Sequence, residues 1–262
     1  MTNISTFSET DLGMEDLHAA LLDAFSDYVI PLQPGEAQFE TLLHSRGFDA
    51  DASMVACDGG EIAAFWNVAN RASRAYLISS GTRIAHRGKG LAGQLGEASI
   101  AVAKHQGKKS FWLEVIEGNS SAERLYGRLG FNLQRKLDSY TLRHPEPKLS
   151  GCRKVDWPTC RATLQRFSSW QPSWQNSSET ITSTPLTCFL YDHGAVAVGQ
   201  GGLIHQIAAE TPDTLEALLA AAATDGLLRL INMDSADQML RATLEALGAE
   251  LLLRQSEMQR PI

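Results

Sequence analysis

The sequence predicts an α/β fold built as two successive halves, each a mixed central sheet flanked by helices. Three observations carry this reading. Apolar residues switch repeatedly between helical and alternating spacing along the chain. A glycine-rich turn, Arg87-Gly-Lys-Gly-Leu-Ala-Gly93, sits between a strand-like and a helix-like segment. A proline-containing break at 144–151 is followed by a return of the first half's pattern.

Taken in order, Met14 to Phe25 reads as a helix, with Leu17, Leu21 and Ala24 at helical spacing. A short helix follows across Ala37–His44. The period then changes: Ser53–Cys57 and Glu61–Asn70 flank Asp58-Gly59-Gly60, the signature of a hairpin. A third strand runs from Arg74 to Ile84. After the glycine-rich turn, a helix covers Gly90–Lys104, with Leu91, Leu95, Ala98 and Val102 as its apolar stripe. Phe111–Ile116 is a buried strand. Ser120–Leu129 is a helix closed by Gly130 as its C-terminal cap, and Phe131–Leu142 is the strand beyond it.

The run His144-Pro-Glu-Pro-Lys-Leu-Ser-Gly151 breaks every period and reads as a linker. It divides a first domain at 1–143 from a second at 152–262. Residues to about Pro185 carry Trp157, Trp170 and Trp174 among Ser, Thr and Pro, without a clear period. A hairpin then turns at Asp192-His-Gly194, and Leu203–Ala209 is a strand. A helix over Asp213–Ala223, a strand over Leu227–Met233, a helix over Ser235–Leu247 and a strand to about Gln259 complete the chain. Arg128-Leu-Gly-Phe131 and Ala246-Leu-Gly-Ala249 each close a helix and open a strand bearing an arginine, Arg135 or Arg254. That is a weak internal repeat, set against chance likeness between two α/β segments.

Composition narrows the function classes. With 44% hydrophobic residues, 20% charged residues and a net charge of −7, the 262-residue chain shows no basic patch for nucleic acid or for an anionic membrane surface. No segment approaches the ~20 apolar residues of a membrane span, and the polar, acidic N-terminus lacks the order of a signal peptide. Cys57, Cys152, Cys160 and Cys188 form no C-x-x-C pair and have no metal-ligand spacing. The expectation is a reduced, cytoplasmic protein without a metal.

The Arg87–Gly93 segment is where ligand chemistry concentrates. Glycine lets backbone approach a ligand closely, and a helix start offers unpaired N–H groups at the positive end of the helix dipole. Together they suit a pyrophosphate; the plain alternative is a connecting turn. Gly88, Gly90 and Gly93 also match the dinucleotide fingerprint G-x-G-x-x-G. That fingerprint wants an acid about 20 residues on, at a strand end, whereas Glu114 lies farther along and mid-strand.

The following residues separate the two. Leu113-Glu-Val-Ile-Glu-Gly-Asn119 precedes Ala122, Tyr126 and Leu129-Gly-Phe131. With Arg87, Gly90 and Ala92 matching Gln/Arg-x-x-Gly-x-Gly/Ala, the chain resembles the GNAT N-acetyltransferase superfamily. The resemblance covers residues 14–142 in element order and 80–131 at the level of motifs. A proline common in the strand before the loop is absent from Thr82-Arg-Ile-Ala-His-Arg87. The resemblance implies tandem GNAT-like domains, the second degenerate.

It also implies acetyl-CoA as cosubstrate and direct attack by a primary amine; the motifs do not name the acceptor, and the acidic net charge of −7 mildly favours a small or cationic one. Acetyl and pantetheine would lie against the backbone of Ser80, Gly81 and Thr82. Pyrophosphate would lie at Arg87, Gly88, Lys89, Gly90, Leu91, Ala92 and Gly93, and Asn119 would bond the pantetheine arm. Tyr126 would protonate the departing sulfur, and Glu114, with a pKa raised by partial burial, would serve as base. Each has a purely structural alternative: a helix cap for Asn119, a core aromatic for Tyr126, an ion pair or exposed strand position for Glu114. His86, His193 and His205 have no partner at ligand spacing, and the three tryptophans suit packing better than a substrate groove.

In the second half, Glu210-Thr-Pro-Asp213 replaces the glycine loop, with Asp213 expected as a helix cap. The helix over 235–247 has no tyrosine. One acetyl-CoA site per chain is therefore expected. The other classes compatible with the sequence are a non-catalytic acyl-CoA-binding or regulatory protein and a dinucleotide-binding enzyme.

Overall fold

A computed structural model describes residues 2–28, 33–143, 151–223 and 226–262. The chain forms two compact units. Unit 1 holds Met1–Val115, Asn119–Gln134 and Glu257–Ile262; unit 2 holds Ile116–Gly118 and Arg135–Ser256. The division differs from the cut at 143 and 152 expected from sequence. Residues 144–150 of the expected linker lie outside the described residues.

Unit 1 is ordered β1 (Asn3–Thr6), α1 (Met14–Ala24), α2 (Glu36–Arg46), β2 (Met54–Asp58), β3 (Glu61–Arg71), β4 (Arg74–Thr82), α3 (Leu91–His105), β5 (Ser110–Ile116) and α4 (Ser120–Arg128). β1 through β4 pair antiparallel in sequence order, and β4 pairs with β5 in parallel. Ile62–Ala69 of β3 are buried almost throughout, as a strand covered on both faces must be. The buried stripe of α3 is Leu91, Leu95, Gly96, Ser99, Ile100 and Ala103. It is rotated from the expected one, leaving Ala98 and Val102 partly buried at its margin. The cause is close packing: a Cβ on Gly96 would lie 3.0 Å from the Trp66 ring, and Ser99 Oγ donates to Ala52 O at 3.3 Å.

Unit 2 repeats that order: β7 (Arg153–Val155), α5 (Trp157–Phe167), α6 (Ser178–Ile181), β8 (Thr187–Tyr191), β9 (Gly194–Val198), β10 (Leu203–Ala209), α7 (Pro212–Ala222), β11 (Leu227–Asp234), α8 (Gln238–Ala246) and β12 (Glu250–Pro261). β7 to β10 pair antiparallel and β10 pairs with β11 in parallel. The α7 cap is Thr211, whose side chain accepts from Thr214 N, with Pro212 as the first helical residue; Asp213, the expected cap, lies two residues inside. α8 starts later than expected because Asp237 caps it.

The strand after Leu-Gly-Phe, β6 (Asn132–Arg143), joins unit 2 from Arg135 onward and pairs antiparallel with β11. The end of β12 joins unit 1, where Ile262 N donates to Lys109 O at 3.1 Å. In unit 2, Asp138 on β6 is 1% exposed and bidentate with Arg254 on β12, at 2.6 and 2.8 Å. Burial, then the Asp138 charge, pushes Tyr140 up to about 12.

Removing one partner of this pair strands a buried carboxylate. Arg254→Ala should cost about 2 kcal/mol, below the 3–5 of fully buried pairs because Arg254 keeps contact with water. Chemical denaturation measures this; a loss under about 0.5 kcal/mol would mean that water replaces the guanidinium.

Candidate acyl-transfer site

The site grows from an interruption in unit 1's sheet. Parallel pairing of β4 with β5 runs from Arg74↔Ser110 to Tyr76↔Trp112, while β4 continues to Thr82 and β5 to Ile116. Against β3, the register shifts between Asn67↔Ser79 and Val68↔Leu77, so Ile78 is an extra residue in β4. Such a bulge bends its strand and leads β4 away from β5. The backbone of Leu77–Thr82 thus borders an opening.

Ser80 and Tyr126 meet at that opening. Ser80 Oγ and Tyr126 Oη are 3.1 Å apart. Tyr126 is 6% exposed, its ring edge-on to Trp66 at 5.9 Å and to Phe131 at 6.1 Å. Burial pushes its phenol above the ordinary value, against the Ser80 hydrogen bond, which pulls it down. Gly81 leaves no room for a side chain, since a Cβ there would lie 2.7 Å from the Phe65 ring and 2.8 Å from Ala24 Cβ. Glu114 stands half-buried on β5, with Oε1 shut off from solvent.

Asn119 both caps and reaches out. Its Oδ1 accepts from Ala122 N at 3.2 Å and from Ser121 Oγ at 3.0 Å, and its Nδ2 donates to Tyr28 Oη at 3.0 Å. Tyr28, just beyond α1, belongs to no motif, and nothing in its spacing marks it.

At the start of α3, Gly90 is the cap with φ +74° and Gly88 has φ +78°. A Cβ at Gly88 would meet nothing within 4 Å, so glycine is required there by conformation. The first intrahelical bond is Gln94 N to Gly90 O. The N–H groups of Leu91, Ala92 and Gly93 precede it, and the first turn has no acid. A helix start of this kind favours an anion over a cation. Lys89 Nζ lies 3.4 Å from His86 Nδ1.

Arg87 has bonding partners on and beyond α1. Its guanidinium is bidentate to Asp27 at 2.7 and 2.8 Å and donates to Ala24 O at 3.0 Å. The Asp27 bond raises Arg87 and lowers Asp27. Its backbone N–H goes to Ile84 O at 3.3 Å. Arg87 thus ties the loop to the end of α1. Among the described residues, no cluster of three or more His, Cys, Asp or Glu could hold a metal, and no helix is long and apolar enough to cross a membrane.

The site thus combines a strand splay with a glycine-capped helix start. Residues 15–131 match the model of the acetyltransferase (GNAT) family. The fold extends across the whole chain. A Pyrococcus horikoshii protein named as a candidate acetyltransferase is 14% identical, with a TM-score of 0.75 over 100% of this chain and 89% of its own. A GCN5-related N-acetyltransferase from Sphaerobacter thermophilus is 14% identical, with a TM-score of 0.69 over 100% and 95%. A tandem GNAT protein from the clavulanic acid biosynthesis pathway is also 14% identical, with a TM-score of 0.64 over 100% and 98%. A sequence search of curated proteins returned no match.

Because its pKa is raised by burial, Tyr126 contributes stability that is intact below the ordinary phenol value, ~10, and is lost as pH climbs through the folded value. Alkaline absorbance titration should show Tyr126 among the late-ionising phenols, and Tyr126→Phe should delete one late step. Loss of an early step would contradict its burial.

Proposed function

We propose that unit 1 transfers the acetyl group of acetyl-CoA to a primary amine of a small acceptor. The observation that carries this reading is the meeting of Ser80 and Tyr126 at the splay of β4 and β5, within the residues that match the GNAT family model. Acetyl-CoA supplies an activated thioester and an anionic pyrophosphate. The N–H groups at 88–93 suit the pyrophosphate, and the backbone of Ser80, Gly81 and Thr82 borders the space for the thioester. N–H donors placed where negative charge develops on an acyl oxygen are worth roughly 3 kcal/mol each in other enzymes. The Tyr126 hydroxyl delivers a proton to the departing sulfur. A phenol holds its proton at neutral pH, and burial, by raising its pKa, makes the transfer to a thiolate more uphill than for a free phenol. Glu114 takes the proton of the attacking amine, directly or through water. Asn119 has a second Nδ2 hydrogen, beyond the one given to Tyr28, for an amide carbonyl of the pantetheine arm.

The test is thiol release with a panel of amines. Tyr126→Phe should slow turnover about 10²-fold with acetyl-CoA affinity nearly intact; a drop under about threefold would leave Tyr126 a packing residue. Gly90→Val should weaken acetyl-CoA binding at least ~tenfold, since the branched residue fits neither the left-handed backbone nor close phosphate approach. Unchanged affinity by calorimetry would remove the loop from the site. Glu114→Gln should abolish the acidic limb of the pH–rate profile, and a mutant that keeps the limb assigns the base elsewhere. Acetyl-CoA binding without thiol release to any amine would favour a non-catalytic binding protein.

A further inference from the structure

Unit 2 has the same splay, and its own chain fills it. Parallel pairing of β10 with β11 covers only Leu203↔Arg229 and Ile204↔Leu230, while the strands continue to Ala209 and Asp234. Into this gap comes the 3-10 turn at Trp174–Asn176. Asn176 is 2% exposed and bonds to both strands. Its Nδ2 donates to Ile231 O of β11 at 2.5 Å. Its backbone carbonyl accepts from Gln206 Nε2 of β10 at 2.6 Å. Its Oδ1 lies 3.2 Å from His205 Nδ1.

The turn is anchored behind these contacts. Ser177 Oγ and Thr180 Oγ1 donate to Trp174 O at 2.9 and 2.8 Å, and Asn176 N donates to Ser173 O at 3.1 Å. Ser173 and Trp174 are buried. Burial pushes His205 down to about 4, so its ring is neutral beside the Asn176 amide. An acyl-CoA arm is a chain of secondary amides, each one donor and one acceptor. Asn176 offers amide donors and acceptors of the same kind.

We propose that Trp174–Asn176 is a resident plug occupying, in unit 2, the strand gap that unit 1 keeps for an amide-bearing acyl-CoA arm. Unit 2 is thereby closed to acyl-CoA in the middle of the cleft, independently of the residues at the start of α7. The assignment of the unit 1 gap rests on the function proposed above; the occupancy of the unit 2 gap does not.

The experiment uses the full-length protein, with acetyl-CoA as the probe. Calorimetry should give one site in the parent protein and, in Gly90→Val, one site weakened at least ~tenfold. Hydrogen exchange over 173–181 and 203–209 should be slow and unchanged by saturating acetyl-CoA. Asn176→Gly should speed exchange in both peptides at least about tenfold, as losing buried hydrogen bonds does. Gln206→Met removes one bond at similar volume, and should act in the same direction if Asn176→Gly fails to fold. Two sites per chain, or slowing of 203–209 by acetyl-CoA, would overturn the plug. Fast exchange at 173–181 in the parent protein would do the same. If the parent protein binds no acetyl-CoA, the proposed function of unit 1 fails, and the exchange data still decide whether the turn fills the cleft.

Discussion

Buried backbone must find hydrogen-bond partners, and the architecture of each unit follows from where one strand pair stops supplying them. In unit 1, β4 and β5 part after Tyr76 and Trp112. The extra residue Ile78 bends β4, while the Trp66 and Tyr126 rings pack at the opening. Two polar side chains, Ser80 and Tyr126, are brought together there from residues far apart in the chain. A sheet paired to its ends would have neither the opening nor the meeting. Unit 2 parts its strands in the same place and returns the lost partners through Asn176. One structural device thus has two outcomes, set by whether a side-chain amide is available to bridge the gap.

The helix starts beside the two gaps differ in the same direction. α3 begins at a left-handed glycine and has no acid in its first turn. α7 begins with Thr211 bonded to Thr214 N, Pro212 without an N–H, and Asp213 in the first turn. The first favours an anion and the second repels one. Arg87, the motif's cation, is paired with Asp27, so the α3 start draws its positive character from backbone N–H groups and Lys89. The N–H groups are fixed in direction by the helix, whereas a long side chain would have to be ordered.

The ends of the two halves are exchanged between the units. β6 leaves the first half to pair with β11, and the end of β12 closes unit 1. The arginines that echo one another in sequence, Arg135 and Arg254, both sit in unit 2, on Asp234 and Asp138. Buried charges of this kind tolerate little change of register, because a shifted strand would leave a carboxylate in the core without its cation.

The sequence alone determined whatever depends on neighbours along the chain. The Gly59–Gly60 hairpin, the glycine start of α3, the Asn119 cap and the Leu-Gly-Phe close of α4 are local conformational requirements, and each was legible from residue type and spacing. The family resemblance of the first half, and the return of its element order in the second, were legible for the same reason. Tertiary structure alone decided what depends on residues distant in the chain. It turned Arg87 toward Asp27, placed Tyr28 against Asn119, rotated the α3 stripe around Gly96, sent β6 and the end of β12 to opposite units, and set Asn176 between β10 and β11. Periodicity says which face of an element is apolar and says nothing of which distant strand or side chain will meet it. Those meetings are selected by packing volume and by the cost of leaving a buried polar group without a partner.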